Sequence, residues 1–367
     1  MNADFAAPDD ATPPTHMPQF GSVEETLRPW LASRGYEQVF VLCDANTQAL
    51  CLPVLRDAKK IGPLLPPHTR VFAIPAGERH KTPDTCVQVW RAMADFGLRR
   101  KGLVMLLGGG VVGDLGGFCA ATWARGVDYV QIPTTLLAMI DASIGGKTGV
   151  DLDGLKNAVG LFGRPQGVFA DTDFLRTLPE REWRSGLAEA IKHACLGRPD
   201  LLPALHAPLA SLSWPALLPP LVEVKARIVA LDPEERDLRR ALNFGHTIGH
   251  ALETWSLRQN ADAPLTHGEA VALGMLLESR IAADLHSHYA PLRDALEGLY
   301  ALHYPPVALP RAALAPIHAL MRADKKNTDA GDPLMALPGP APFTLRMLRI
   351  SESAWLRVAA PLIGGRV

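Results

Sequence analysis

The side chains with the most chemistry in them lie in three short segments of the chain's second half. Asn243-Phe244-Gly245-His246-Thr247-Ile248-Gly249-His250 follows a helical pattern, and its two histidines at i and i+4 share one face. Thr266-His267-Gly268-Glu269 opens the next helical pattern and adds a third histidine. Gly186-Leu187-Ala188-Glu189-Ala190-Ile191-Lys192-His193 buries a carboxylate in an apolar helix, which is costly without a partner. Two histidines and one carboxylate hold a divalent ion and leave a position open for substrate, as catalytic zinc requires. Spacing leaves two sets open. One pairs His246 with His250. The other pairs His246 with His267 and frees His250 as acid or base. Paired histidines also occur on helix surfaces; the third histidine and Glu189 are what favour a metal here.

The first half carries groups suited to a dinucleotide. Leu106-Leu107-Gly108-Gly109-Gly110-Val111-Val112-Gly113-Asp114 follows a predicted strand, opens a predicted helix and contains G-x-G-x-x-G. Glycines let the backbone approach a pyrophosphate, and the first N–H groups of the helix bind it. A tight strand-to-helix turn would use the same residues. Asp44 ends another strand, where it could accept ribose hydroxyls or cap a helix, with Asn46 beside it. Glu78 and Lys81 follow a third strand, and Thr134 and Thr135 end a fourth. Asp141-Ala142-Ser143-Ile144-Gly145-Gly146-Lys147-Thr148-Gly149, then Lys156-Asn157, reads as a polar, flexible loop with two cations for a phosphate or carboxylate. It lacks the full G-x-x-x-x-G-K-[ST] pattern, which argues against an ATPase.

These groups need two kinds of scaffold. Gln38–Asp44, Arg70–Ile74, Gly102–Leu107, Tyr129–Ile132 and Val168–Ala170 read as strands, with helical patterns at Ser22–Arg34 and Pro83–Phe96 between them. Such alternation predicts a parallel sheet with crossover helices. Beyond residue 183 the pattern is helical, as in Val222–Leu231, Arg240–Thr254 and Gly268–Leu285. The expected organisation is a tail without structure over 1–17, a Rossmann-like NAD-binding α/β domain over 18–182, and an all-α metal- and substrate-binding domain over 183–367, with the active site between the two domains. Leu201–Val222 has no Asp, Glu, Lys or Arg, yet its prolines predict short helices with turns rather than a membrane span.

Bulk properties bound the function. The 367 residues are 48% hydrophobic and 20% charged, with net charge -1, so a large core is available and no global field favours nucleic acid or membrane. Five scattered cysteines without a C-x-x-C pair fit a reducing compartment. The N-terminus lacks the basic start and apolar block of a secretory signal.

In this order, GGGVVGDLGGFCAATWARG, QIPTTLLAMIDASIGGKTGV, LKNAVGLF, SGLAEAIKH, LNFGHTIGHALE and HGEAVALGM closely resemble the 3-dehydroquinate synthase family of the sugar phosphate cyclase superfamily, from about residue 20 to about 330. The resemblance implies a homodimeric cytoplasmic lyase that uses NAD and zinc or cobalt. It would convert 3-deoxy-D-arabino-heptulosonate 7-phosphate to 3-dehydroquinate and phosphate, with no nucleic-acid or membrane partner. It implies Glu189, His246 and His267 as metal ligands. Asp141, Lys147, Asn157, Lys192, Lys225, Arg239, Asn243 and His250 would line the substrate site with Lys325 or Lys326, and Arg125 would reach a neighbouring subunit's phosphate site. Asp44, Asn46, Glu78, Lys81, Gly109, Gly110, Asp114, Thr134, Thr135, Asp141, Lys156 and Thr177 would hold NAD. Two departures stand out: Asp237, where the family often has glycine, and a tail after Asn327 that matches the family's glycine-led strand pair loosely. The rivals are another sugar phosphate cyclase, disfavoured by the retention of Lys225, Arg239, Asn243 and His250, and a metal-dependent polyol dehydrogenase, which would not need the lysines.

Overall fold

A computed structural model describes residues 5–6, 17–57, 65–153, 155–259, 263–323 and 331–363. Most of the tail expected over 1–17 lies outside the described residues, as do Lys325 and Lys326. The chain divides into two compact units, residues 15–179 and residues 1–14 with 180–367. Strands are numbered along the chain from the two-residue β1 (Phe5–Ala6), which belongs to the second unit.

The first unit is built on a six-stranded sheet. Its elements are β2 (Gln19–Phe20), α1 (Leu27–Arg34), β3 (Gln38–Asp44), α2 (Ala45–Leu50), α3 (Leu52–Arg56), β4 (His68–Ile74), α4 (Pro83–Phe96), β5 (Leu103–Gly108), α5 (Gly110–Thr122), β6 (Asp128–Pro133), β7 (Lys147–Leu152), β8 (Leu155–Phe162) and β9 (Gly167–Ala170). The order is β2-β9-β6-β5-β3-β4, with every pair parallel. β5 is buried along its whole length, as a central parallel strand must be. α4 shows how local chemistry sets an element's bounds. Thr82 caps its N-terminus, Pro83 starts it with φ already set, and Gly97 ends it in the left-handed region at φ 68°. From β3 the chain steps to β4 on one side, and from β5 to β6 and β9 on the other. The order therefore reverses between β3 and β5, and Asp44 and Gly109 stand at the carboxyl ends of those two strands. Ligands of open α/β sheets bind at such a point.

The flexible loop expected after Asp141 is ordered structure. Ala138–Ala142 form a single π-helical turn, and β7 pairs with β8 in an antiparallel hairpin. Of the glycines that read as flexibility, Gly145 and Gly146 take positive φ (102° and 66°) in a turn, whereas Gly149 packs against Gly160 of the facing strand. A Cβ on Gly160 would stand 2.3 Å from the Thr148 carbonyl oxygen, so the two strands approach only because none is there.

The second unit is helical: α6 (Glu180–Gly197), α7 (Leu202–Leu205), α8 (Trp214–Leu231), α9 (His246–Gln259), α10 (His267–Leu285), α11 (Ala290–His303), α12 (Leu314–Arg322) and α13 (Glu352–Ala359). To these it adds β10 (Leu334–Pro338) and β11 (Thr344–Arg349), an antiparallel pair that β1 extends by one short strand. The proline-rich stretch forms short turns only as far as Ser213. From Trp214 it is one helix, with Pro219 and Pro220 inside it and Leu217, Leu218, Leu221 and Val222 buried. Burial of four large side chains, each worth about 1.5–3 kcal/mol, outweighs the lost helical hydrogen bonds.

Two glycines of α10 set its neighbours' distance. A Cβ on Gly268 would lie 2.2 Å from the Ser185 carbonyl oxygen of α6, and one on Gly274 would lie 2.0 Å from the Gly245 carbonyl oxygen ahead of α9. Gly268→Ala must therefore push α6 and α10 apart. We expect it to cost at least the ~1–3 kcal/mol typical of overpacking, read as a lower urea midpoint. An unchanged midpoint would show that the contact is not needed.

Candidate active site

Three helices each bring one candidate ligand forward. Glu189 lies in the stretch of α6 over 185–197 that is buried without a break, His246 begins α9, and His267 begins α10. One atom from each lies within 4.8 Å of the other two. Glu189 Oε1 is 3.6 Å from His246 Nε2 and 3.7 Å from His267 Nε2. A tetrahedral ion with bonds of about 2.05 Å keeps its ligand atoms about 3.3 Å apart, so the two distances from Glu189 lie within a few tenths of an ångström of that spacing. The outer ring nitrogens fit as well. His246 Nδ1 is 3.0 Å from the Phe244 carbonyl oxygen, which can only accept, so Nδ1 carries the hydrogen and Nε2 offers its lone pair. His267 Nδ1 faces Glu253 Oε2 at 3.4 Å. Glu189 is 1% exposed and His267 31%, so an ion here would be open on the His267 side.

Of the two histidine sets that spacing allows, His246 and His267 are those facing Glu189. The His250 ring lies 5.1 Å from that of His246 and 5.8 Å from that of His267, and His250 groups instead with Glu253 and His267. Lys192, buried one turn after Glu189, forms an ion pair with its carboxylate. Burial alone would lower the His267 pKa, but Glu189 and Glu253 on either side hold it up at about 9.

His267 is placed by a capping box. Thr266 Oγ1 accepts the Glu269 N–H, and Glu269 Oε2 accepts the Thr266 N–H at 2.8 Å. Arg181, in the first turn of α6, grips the same Glu269 with two bonds of 3.0 and 2.8 Å. Burial would raise the Glu269 pKa, but Arg181 and the Thr266 amide hold it below the ordinary carboxylate value.

Three further candidates lie on α8 and the turn after it. Lys225 is on the buried side of α8, which packs against α6. Asp232 then accepts the N–H groups of Arg236, Asp237 and Arg239 at 3.0, 2.7 and 3.0 Å. Burial raises the Asp232 pKa, and these amides more than offset it. The turn so formed buries Arg239, whose Nη1 donates to the Pro233 carbonyl at 2.7 Å, while Asn243 Nδ2 donates to Glu235 Oε1 at 3.0 Å. Asp237 sits at φ −134° and ψ −100°, outside both the helical and the extended regions.

In the first unit, Gly109 and Gly110 open α5 against the end of β6. A Cβ on Gly109 would be 3.0 Å from Thr135 Cγ2, and the Thr134 N–H donates to the Gly108 carbonyl at 3.0 Å. Thr135 Oγ1 accepts the Ala138 N–H, ahead of the turn that holds Asp141. Asp44 caps α2 by accepting the Thr47 N–H at 2.9 Å, with Asn46 exposed beside it. Lys81 is buried and donates to Asp114 Oδ2 and Asn157 Oδ1, both at 2.6 Å. Burial would lower its pKa, but Asp114 and Glu78 hold it above the ordinary lysine value. Lys156 Nζ is 4.0 Å from Glu78 Oε1. Asn157 adopts φ 49°, a conformation asparagine tolerates better than most residues. Lys147 is exposed at the start of β7, and Thr177 is exposed at the end of the Thr172–Thr177 turn. Arg125 is exposed in a bend where Ala124, Arg125 and Gly126 all have positive φ (49°, 64° and 111°). Two consecutive non-glycine residues in that region cost of order 1–3 kcal/mol each, a mark of functional turns.

Sequence reasoning passed over Glu253 and Glu278. Each is a carboxylate in an otherwise apolar helical run, the same signal that drew attention to Glu189. Both are buried, at 9% and 0% exposed.

Comparison with known proteins agrees with these features. The 3-dehydroquinate synthase N-terminal family model matches residues 71–185, and the C-terminal one matches 186–327. A 3-dehydroquinate synthase from Xanthomonas oryzae pv. oryzae (strain MAFF 311018) is 50% identical over 273 residues, covering 70% of this chain and 71% of that one. Among solved structures, the ValA 2-epi-5-epi-valiolone synthase from Streptomyces hygroscopicus subsp. jinggangensis 5008, with NAD+ and Zn2+ bound, superposes with TM-score 0.77 at 26% identity, over 98% of each chain. A 2-deoxy-scyllo-inosose synthase complexed with carbaglucose-6-phosphate, NAD+ and Co2+ shares the fold at TM-score 0.77 and 24% identity, over 92% of this chain and 95% of that one.

An ion held at His267 Nε2 would have to expel the proton that His267 keeps up to about pH 9. At pH 7 we expect at least about one proton released per ion bound. The apparent affinity should rise with pH and level off above about 9, as fewer molecules hold that proton to be displaced. Titration calorimetry in buffers of different ionisation enthalpy measures this; uptake without proton release would show that His267 is not a ligand.

Proposed function

The chain belongs to the 3-dehydroquinate synthase family, and on that footing we propose how its residues divide the reaction. It is a phosphate-eliminating carbon–oxygen lyase, dependent on NAD and on zinc or cobalt, that turns 3-deoxy-D-arabino-heptulosonate 7-phosphate into 3-dehydroquinate and phosphate. When bound, the two groups supply a hydride acceptor that is restored in every turnover and a Lewis acid for the reacting oxygens. Oxidation of the C5 hydroxyl to a ketone acidifies the C6 proton, and phosphate leaves by β-elimination. The substrate's own phosphate is suited to take that proton. The ketone is then reduced again, and ring opening with intramolecular aldol closure completes the product. There is no net redox change.

Glu189, His246 and His267 would hold the ion, and the fit of their atoms to a tetrahedral site is the observation that carries the reading. Gly109 and Gly110 would present the N–H groups of α5 to the pyrophosphate. Asp44, Asn46, Glu78, Asp114, Thr134, Thr135, Asp141, Lys156 and Thr177 would hold the rest of the dinucleotide. Lys81 stays a cation in its buried network, so its part is to set Asp114 and Asn157 in place rather than to exchange protons. Lys147, Lys192, Lys225 and Arg239, with Lys325 or Lys326, would neutralise the substrate's phosphate and carboxylate, and Asn157 and Asn243 would orient its hydroxyls. His250 beside the ligands is suited to move a proton. Arg125, on its exposed bend, would serve the phosphate site of a second copy, making the enzyme a homodimer. We place it in the cytoplasm, since its five cysteines are all free and buried. Among the described residues no helix is long and apolar enough to cross a membrane.

Protein supplied with NAD and zinc or cobalt should release phosphate from the heptulosonate without accumulating NADH. Steady NADH formation from a polyol with no phosphate release would identify a dehydrogenase instead. Arg125→Ala and His250→Ala should each be nearly inactive alone. Co-expressed, they should regain about a quarter of normal activity, because half the random dimers would hold one intact site. No recovery would show that Arg125 does not act across subunits.

A further inference from the structure

We propose that Glu278 is a positioning residue for the metal site, a carboxylate that sets where His246 stands. The inference rests on the reading that Glu189, His246 and His267 hold a divalent ion. Glu278 lies on α10 about three turns beyond His267 and is fully buried. Its Oε2 accepts the Gly245 N–H at 2.8 Å, and its Oε1 accepts the Ile248 N–H at 3.1 Å. These two amides bracket His246 and Thr247.

The first helical bond of α9 runs from the Gly249 N–H to the Gly245 carbonyl at 2.9 Å, so Gly245 is the N-cap and Ile248 the third residue of the helix. An N-cap side chain normally takes the N–H of the second or third residue. Gly245 has no side chain, and none could fit. It sits at φ 78°, and a Cβ there would lie 2.3 Å from Met275 Cγ and 2.8 Å from the Val271 carbonyl oxygen. The close approach of α10 thus removes the cap that α9 would have carried itself, and Glu278 supplies it from α10. A negative charge at a helix N-terminus also complements the helix dipole. The turn so held is the one that bears a ligand, since His246 is the first residue of α9 and its Nδ1 bonds back to Phe244. Fraying of that turn would swing Nε2 away from Glu189.

Glu278→Gln keeps the shape but turns one acceptor into an amide donor facing an N–H. The readouts are Co2+ affinity in competition with a chelator and the visible absorption of the Co2+-loaded protein. Glu278→Gln should bind Co2+ roughly tenfold more weakly, as changes behind a ligand do, and its absorption bands should shift. Ser279→Ala, a buried neighbour whose hydroxyl donates to the Leu276 carbonyl within α10, should leave both unchanged. If wild-type protein takes up no stoichiometric Co2+, the metal reading itself fails. If it does, and Glu278→Gln matches it in affinity and spectrum, the positioning role is overturned whatever the variant's stability. A Ser279→Ala shift of equal size would overturn it too, by pointing to general softening of α10. Should Glu278→Gln not fold, Glu278→Asp, which keeps the charge but falls short by one methylene, carries the same comparison and the same outcomes.

Discussion

Helix α10 touches α6 and α9 backbone to backbone, and the meeting of Glu189, His246 and His267 follows from that. Helices packed through large side chains stand about 8–10 Å apart. Gly268 and Gly274 remove the side chains that would hold the axes apart. The same closeness removes the room for ordinary N-terminal capping on α9, and it leaves Glu189 fully buried. Arg181 on Glu269, the capping box at Thr266 and the Glu278 bonds all act at helix starts, because that is where His246 and His267 sit.

How much of this was legible in the sequence depends on the range of the interaction concerned. β3 and α4 have the bounds that their patterns predict, since alternation, Thr82, Pro83 and Gly97 are local signals. The candidate ligands were legible by type, because an i, i+4 histidine pair and a carboxylate in an apolar run are unusual. Which of His250 and His267 faces Glu189 was not, for it depends on how α9 lies on α10. The start of β7 reads as part of a flexible loop because glycine is ambiguous: Gly149 is there to let β8 approach, and nothing local says so. Glu253 and Glu278 were passed over because the histidines nearby drew the reading, although their apolar surroundings carried the same message as Glu189.

Buried charge is handled alike in both units. Lys81 is enclosed with Asp114 and Asn157, and Lys192 with Glu189. Each pair offsets a desolvation penalty of several kcal/mol per ion, and breaking such a pair by removing one partner costs about 3–5 kcal/mol. Pairs of this sort add little net stability but demand one geometry, and that geometry is what a hydride transfer and a phosphate elimination need.

The Lys192–Glu189 pair also bears on how the protein matures. In many small zinc proteins the ligands repel or stay solvated until metal arrives, so folding waits for the ion. Here the chain brings its own positive charge to the carboxylate. The ammonium meets that charge from one turn away on the same helix. The buried charge of Glu189 is thus met within the chain, so the assembly of α6 does not rest on an ion from solution alone.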